Sequence, residues 1–235
     1  MIKFFRHIRQ RLVAESKFSK YLLYAIGEIV LVIIGILIAL AINENVKDRN
    51  NLKLRNQYII QLEDEANRNI IRLNELNDFT IKMLKEIDTL GNILYTKDYD
   101  NPKIAEKSEI ILRTNGLNPT TVIYENLKFS GDLKLFDDLN LRNAISEPYE
   151  TFNDIKVVED LDFAGFLDYY ENFLIRNVSF FEMQLTSKSY AKEIHFQNYI
   201  IARRTSLNLN KEAYERSIES LNKLKTIFAE LKNDN

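Results

Sequence analysis

An all-α protein is predicted, in which one transmembrane helix continues into a long coiled-coil-like helix that packs with further helices in an antiparallel bundle. Three observations lead there. Tyr21–Ile42 is an apolar run of about 22 residues broken only by Glu28. Breakers are scarce, with six Gly and three Pro in 235 residues, whereas Leu, Ile, Glu and Lys abound. Apolar residues also recur at three- and four-residue spacing in two long stretches, one after the run and one near the C-terminus.

The N-terminal segment, residues 1–20, places Ile2, Phe5, Ile8 and Leu12 on one side and Lys3, Arg6, Arg9 and Arg11 between or beside them. Two readings stay open: a basic amphipathic helix on an anionic membrane surface, or a leader that only sets topology. The run at 21–42 would span about 33 Å as a helix, enough for a hydrocarbon core of about 30 Å. Six basic residues precede it (Lys3, Arg6, Arg9, Arg11, Lys17, Lys20) and four follow closely (Lys47, Arg49, Lys53, Arg55). That bias favours a cytoplasmic N-terminus and an exported C-terminal part. Ala39-Leu40-Ala41 resembles a signal cleavage site. The apolar region is nevertheless longer than the 7–15 residues usual for a cleaved signal, so an uncleaved anchor is expected.

Residues 43–235 form the third region, with 26 basic against 32 acidic side chains. Such a balance excludes a broad phosphate-neutralising face and makes nucleic acid an unexpected partner. Cysteine is absent, which discriminates no compartment. From Asn43 to Leu90 no Gly or Pro occurs. Ile59, Leu62, Ala66, Leu73, Leu76, Met83, Ile87 and Leu90 trace a seam that Asn69 and Thr80 complete. Helical throughout, this stretch would be about 72 Å long. Its cover is expected from Tyr214, Ile218, Leu221, Leu224, Phe228 and Leu231, on a helix starting with Asn208 or Asn210 as N-cap.

Between these, Gly91-Asn92 and Lys97–Pro102 mark the first turn region. Further helices are expected over 103–113 and from Asn118-Pro119 to Ser130-Gly131, with Pro at the first helical position. Another begins near 138–140 and is either kinked or broken at Pro148. Leu161–Gln184 should continue helical, and Ala191–Arg204 should form a short helix.

Two blocks carry a resemblance. FSKYLLYAIGEIVLVIIGILIALAIN (Phe18–Asn43) with NLKLRNQYIIQLEDEANRN (Asn51–Asn69) resembles a family of uncharacterised bacterial single-pass membrane proteins. YENLKFSGDLKLFDDLNLRNAISEPYETF (Tyr124–Phe152) is similar to that family's second recurrent block. The family often has an Asn-Asn-Trp step just past the span, where this chain reads Asn43-Glu44-Asn45-Val46 and offers no Trp for interfacial anchoring. The resemblance implies a bacterial inner-membrane location and this architecture, and no reaction.

Glu28 is costly in hydrocarbon, on the order of 2.5–3.5 kcal/mol at a bilayer centre. At about 100° per residue, Gly35 and Ala39 fall within about 20° of it, with Tyr21 and Tyr24 nearby. The face Tyr24, Glu28, Gly35 and Ala39 is therefore expected to contact a second copy or another membrane protein, the alternative being a protonated Glu near the inner leaflet. Catalytic patterns are missing. His7 and His195 lack metal-site spacing, and no phosphate loop, dinucleotide fingerprint or nucleophile elbow is present. Neither an enzyme, a metal nor a cofactor is expected. Asp160, Asp162, Asp168 and Glu171 read as a solvated face. Phe166, Tyr169, Tyr170, Phe173, Phe180 and Phe181 read as bundle core, or else as a ligand pocket. The residues thus point to a membrane-anchored interaction or scaffolding protein of the cell envelope. The alternative is a ligand-sensing ectodomain that signals through a membrane partner.

Overall fold

A computed structural model describes residues 18–110, 113–182, 184–187 and 189–233. The leader residues Lys3, Arg6, Arg9, Arg11 and His7 lie outside the described residues. The described chain is all-α apart from one two-residue antiparallel strand pair, and it divides between Asn56 and Gln57 into two units.

Helix α1 spans Phe18–Tyr95. In the first unit its apolar side chains are exposed, among them Ile29, Leu31, Leu37 and Ile42. An 18-residue window there has mean hydropathy 2.9 and none of it is buried. Among the described residues this is the one helix long and apolar enough to cross a membrane.

The second unit contains the packed core. Every predicted seam residue of α1 is buried, from Ile59 through Asn69 and Thr80 to Leu90. The seam continues through Leu94, so α1 does not turn at Gly91-Asn92 as expected. It ends at Thr96–Asp98 instead. The Lys97 N–H donates to the Leu94 carbonyl at 3.0 Å and the Asp98 N–H to that of Ile93 at 3.2 Å. This is the Schellman arrangement, and Lys97 sits at the left-handed position with φ 57°. A side chain is strained there, so Lys97→Gly is expected to stabilise the unit by about 1 kcal/mol, read from urea unfolding of both forms.

Helix α2 (Lys103–Ile110) follows Asn101-Pro102, and the Asn101 side-chain oxygen accepts from the Lys103 N–H at 3.0 Å. Helix α3 is Val122–Phe129, and so begins later than the expected Asn118-Pro119. The reason is tertiary. Asn69 of α1 holds the Thr120 backbone by two 2.8 Å hydrogen bonds, accepting from its N–H and donating to its carbonyl. The N–H groups of Ile123 and Tyr124 are then capped by Glu65.

A 3-10 turn (Asp132–Leu135) leads to α4, Leu139–Tyr169, whose N-cap Asp138 accepts from the Asn140 N–H at 2.9 Å. The helix passes through Pro148 unbroken. It does not continue to Gln184. A π-helical segment (Tyr170–Leu174) and one α-turn (Ile175–Asn177) lead into strands β1 (Val178–Ser179) and β2 (Gln184–Leu185), with Val178 opposite Leu185. After a 3-10 turn (Tyr190–Lys192), α5 runs from Ile194 to Asn233 without interruption. The expected short helix and C-terminal helix are one element, and neither Asn208 nor Asn210 is an N-cap. No Gly or Pro separates the two stretches, and the Asn208 side chain donates to the Arg204 carbonyl one turn back (2.9 Å), within the helix instead of capping it.

Two apolar clusters share the core. One joins Ile59–Leu76 of α1 with Tyr124 and Leu127, Phe136, Ile145–Ile155 of α4 and Ala213–Phe228 of α5. The other joins Met83–Leu94 with Ile104, Tyr169, Leu174, Val178, Tyr190 and Phe196–Leu207. Along α1 the boundary falls at Thr80, and along α5 at Asn210.

Candidate functional site

The predicted contact face lies in the first unit. Tyr24, Glu28, Gly35 and Ala39 all belong to α1. Glu28, Gly35 and Ala39 are exposed, and a Cβ added at Gly35 would meet nothing within 4 Å. Geometry leaves this face open to another helix, since small residues let backbones approach closely.

In the second unit the expected aromatic group separates. Tyr169 is buried and stacks on Tyr199 with ring centroids 3.6 Å apart, and its hydroxyl meets that of Tyr190. Tyr170 and Phe173 pack against the same cluster, while Phe166 lies half-buried between Phe163 and Tyr170. Phe180 and Phe181 are exposed. Of the six, Tyr169 is core and Tyr170 and Phe173 flank it, while Phe180 and Phe181 are not core. His195 is exposed and its ring tilts against Phe173 at 5.4 Å. No cluster of three His, Cys, Asp or Glu able to hold a metal occurs among the described residues.

The sequence reading missed a set of buried polar residues that tie the irregular stretch 113–121 to the helices. Glu65 is fully buried and accepts from the Ile123 N–H (2.8 Å), the Tyr124 N–H (3.3 Å) and the Tyr149 hydroxyl (2.7 Å). Burial, and next the Glu65 charge, push the Tyr149 phenol far above its ordinary value. Glu159 accepts from the Leu117 N–H with both oxygens at 3.0 Å and from the Tyr214 hydroxyl at 2.6 Å. Burial raises its carboxyl above the usual range, although these donors and the nearby Arg72 pull the other way. Arg72 in turn donates to the Asn115 side chain at 2.7 Å and the Gly116 carbonyl at 2.9 Å. A Cβ on Gly116 would come within 3.1 Å of the Glu159 carboxylate, so a larger residue here would have to displace that side chain by a few tenths of an ångström.

Arg203 of α5 is 3% exposed; it pairs with Asp162 of α4 and donates to the Arg113 carbonyl at 3.1 Å. Of the four acids expected on a solvated face, Asp162 is thus turned inward. Asp160, Asp168 and Glu171 remain exposed. A sequence signal existed for Glu65: it lies three residues after Leu62 and one before Ala66, beside the seam. No comparable signal marked Glu159 or Arg203.

Chemically, each buried acid is committed to donors within the fold. Glu65 and Glu159 each accept from main-chain and phenol donors, and Asp162 accepts from the Arg203 guanidinium. A cleft of about 360 Å³ between α3 and α4 is lined by Tyr124, Tyr149, Phe152, Lys128, Lys156 and Glu150. Its floor is the stacked pair Tyr124 and Tyr149, 3.8 Å apart, with the Tyr149 hydroxyl turned to Glu65. No family model, characterised protein or solved structure matches the chain.

Proposed function

We propose that the chain is a membrane-anchored helical interaction or scaffolding protein of the bacterial cell envelope. It is a single-pass protein of the inner membrane with a cytoplasmic N-terminus and a periplasmic C-terminal region, as in the family that its span resembles. The observation that carries this reading is the contrast along α1. The apolar window near the N-terminus is wholly unburied, while the seam beyond Gln57 is covered by the chain's own helices. Apolar surface of that extent needs lipid or another helix against it. The reading also pairs α1 and α5 in opposite directions, supported by ion pairs of Glu63 with Lys232 and of Asp88 with Arg204. The face of Tyr24, Glu28, Gly35 and Ala39 takes the membrane partner, either a second copy or another protein, so Glu28→Leu should cut crosslinking between spans.

Because cysteine is absent, single cysteines report topology cleanly. In intact spheroplasts a membrane-impermeant maleimide is expected to label Glu230→Cys and to spare Arg9→Cys until lysis, with all protein resisting carbonate extraction. Reversed labelling overturns the orientation, and release by carbonate overturns the anchor.

A further inference from the structure

Helix α4 carries an apolar face that no described element of its own unit covers. Val157, Leu161 and Ala164 lie within about 60° of one another on the helix, pointing away from the buried side of Phe152, Ile155 and Tyr169. Val157 is 60% and Leu161 70% exposed, and Leu167 (41%) extends the patch by a turn. Gly165 adjoins it, and a Cβ there would meet nothing within 4 Å. A small, open centre with larger apolar residues on either side suits a second helix lying close along α4.

The charges around the patch say which helix. Asp154 lies one turn before Val157, Asp160 alongside, Asp168 one turn beyond Ala164 and Glu171 two turns beyond it in the π-helical segment, all exposed. Lys156 is the only basic residue between Glu150 and Ile175, and it is paired with Asp160 at 3.2 Å. The remaining acids of the stretch, Glu159 and Asp162, face inward to Tyr214 and Arg203. On α5, which is tied to α4 by the Arg203–Asp162 pair, the exposed cation Arg204 is engaged by Asp88. An apolar patch ringed by carboxylates repels a second copy of itself and attracts cations.

The geometry points to this face of α4 as a docking surface for a basic amphipathic helix of a partner protein. Its apolar side seats on Val157, Leu161 and Ala164, and its Lys or Arg residues meet Asp154, Asp160 and Asp168. This deepens the interaction reading above, with recognition of the helix-on-groove kind.

The test uses the full chain in nonionic detergent and a fluorescent synthetic helix with Leu at heptad seam positions and Lys on both flanks. Fluorescence anisotropy is expected to show binding that weakens at least tenfold with Leu161→Lys and disappears when the Lys residues of the probe become Glu. Leu161 is exposed, so its replacement leaves the fold intact, which circular dichroism checks. Equal binding to wild type and Leu161→Lys, or no binding to either, overturns the assignment. So does sedimentation showing that Leu161→Lys converts an oligomer to a monomer, which would give the face to a second copy. Failure of the membrane anchor would appear in fractionation and leave this assay unaffected.

Discussion

Glu65→Leu is expected to lower the stability of the Gln57–Asn235 unit by about 3–5 kcal/mol, measured by urea unfolding of the full chain in detergent. The size follows from what the carboxylate satisfies. Ile123 and Tyr124 supply two of the otherwise unpaired N–H groups at the start of α3, and Thr121 at the N-cap position makes no side-chain cap of its own. Tyr149 adds a buried hydroxyl. An isosteric apolar replacement leaves all three donors without their acceptor in a largely buried region, and each orphan costs roughly 1–3 kcal/mol. Glu65→Gln keeps one carbonyl acceptor and should cost about half as much. Combining Glu65→Leu with Tyr149→Phe removes one orphan, so the pair should fall short of additivity by about 1–2 kcal/mol. A loss below about 1 kcal/mol for Glu65→Leu would mean that α3 is not capped from α1.

Such a cap shows why the sequence was readable in some places and opaque in others. The α1 seam was legible because ten positions at heptad spacing agree, and the structure buries all of them. The C-terminal stripe was legible for the same reason: Tyr214, Leu221, Leu224 and Phe228 are buried, with Ile218 and Leu231 packed beside them. Boundaries failed where tertiary partners override local preference. Asn118-Pro119 is a sound helix start in isolation, yet Asn69 takes the Thr120 backbone and postpones the helix to Val122. Asn208 prefers a cap, but apolar positions on both sides of it, Leu207 and Ala213 among them, are buried along one uninterrupted helix. The strand pair was invisible because two residues per strand give no alternation to detect. Of the predicted face, Glu28, Gly35 and Ala39 are exposed on α1, and its contact with another helix stays a proposal. The Glu65, Glu159 and Arg203 ties join residues 41 to 90 positions apart, which no local pattern encodes.

Raising the pH is expected to unfold the second unit cooperatively at about pH 11–12, with phenolate absorbance from its buried tyrosines appearing together with loss of helical circular dichroism. Burial is the leading cause that pushes Tyr149, Tyr169, Tyr190 and Tyr214 far above the ordinary phenol value, and it pushes Tyr199 up to about 12. In the unfolded chain the same five groups lose their protons near pH 10. Above that pH the folded state binds more protons than the unfolded one, so stability falls as pH rises and is fully retained below it. Each phenol contributes a slope of about 1.4 kcal/mol per pH unit, so five together give about 7 kcal/mol per unit. Against a typical domain stability of about 5–15 kcal/mol, one to two units suffice. Tyr199 gives the sharper check, because its hydroxyl is buried without a hydrogen-bond partner among the described residues. Tyr199→Phe removes one titrating group and no hydrogen bond, so the alkaline midpoint should rise while stability at neutral pH holds or improves. Gradual ionisation of all these phenols with helicity intact would show that the tyrosine cluster is open to solvent and that α4 and α5 do not close over it.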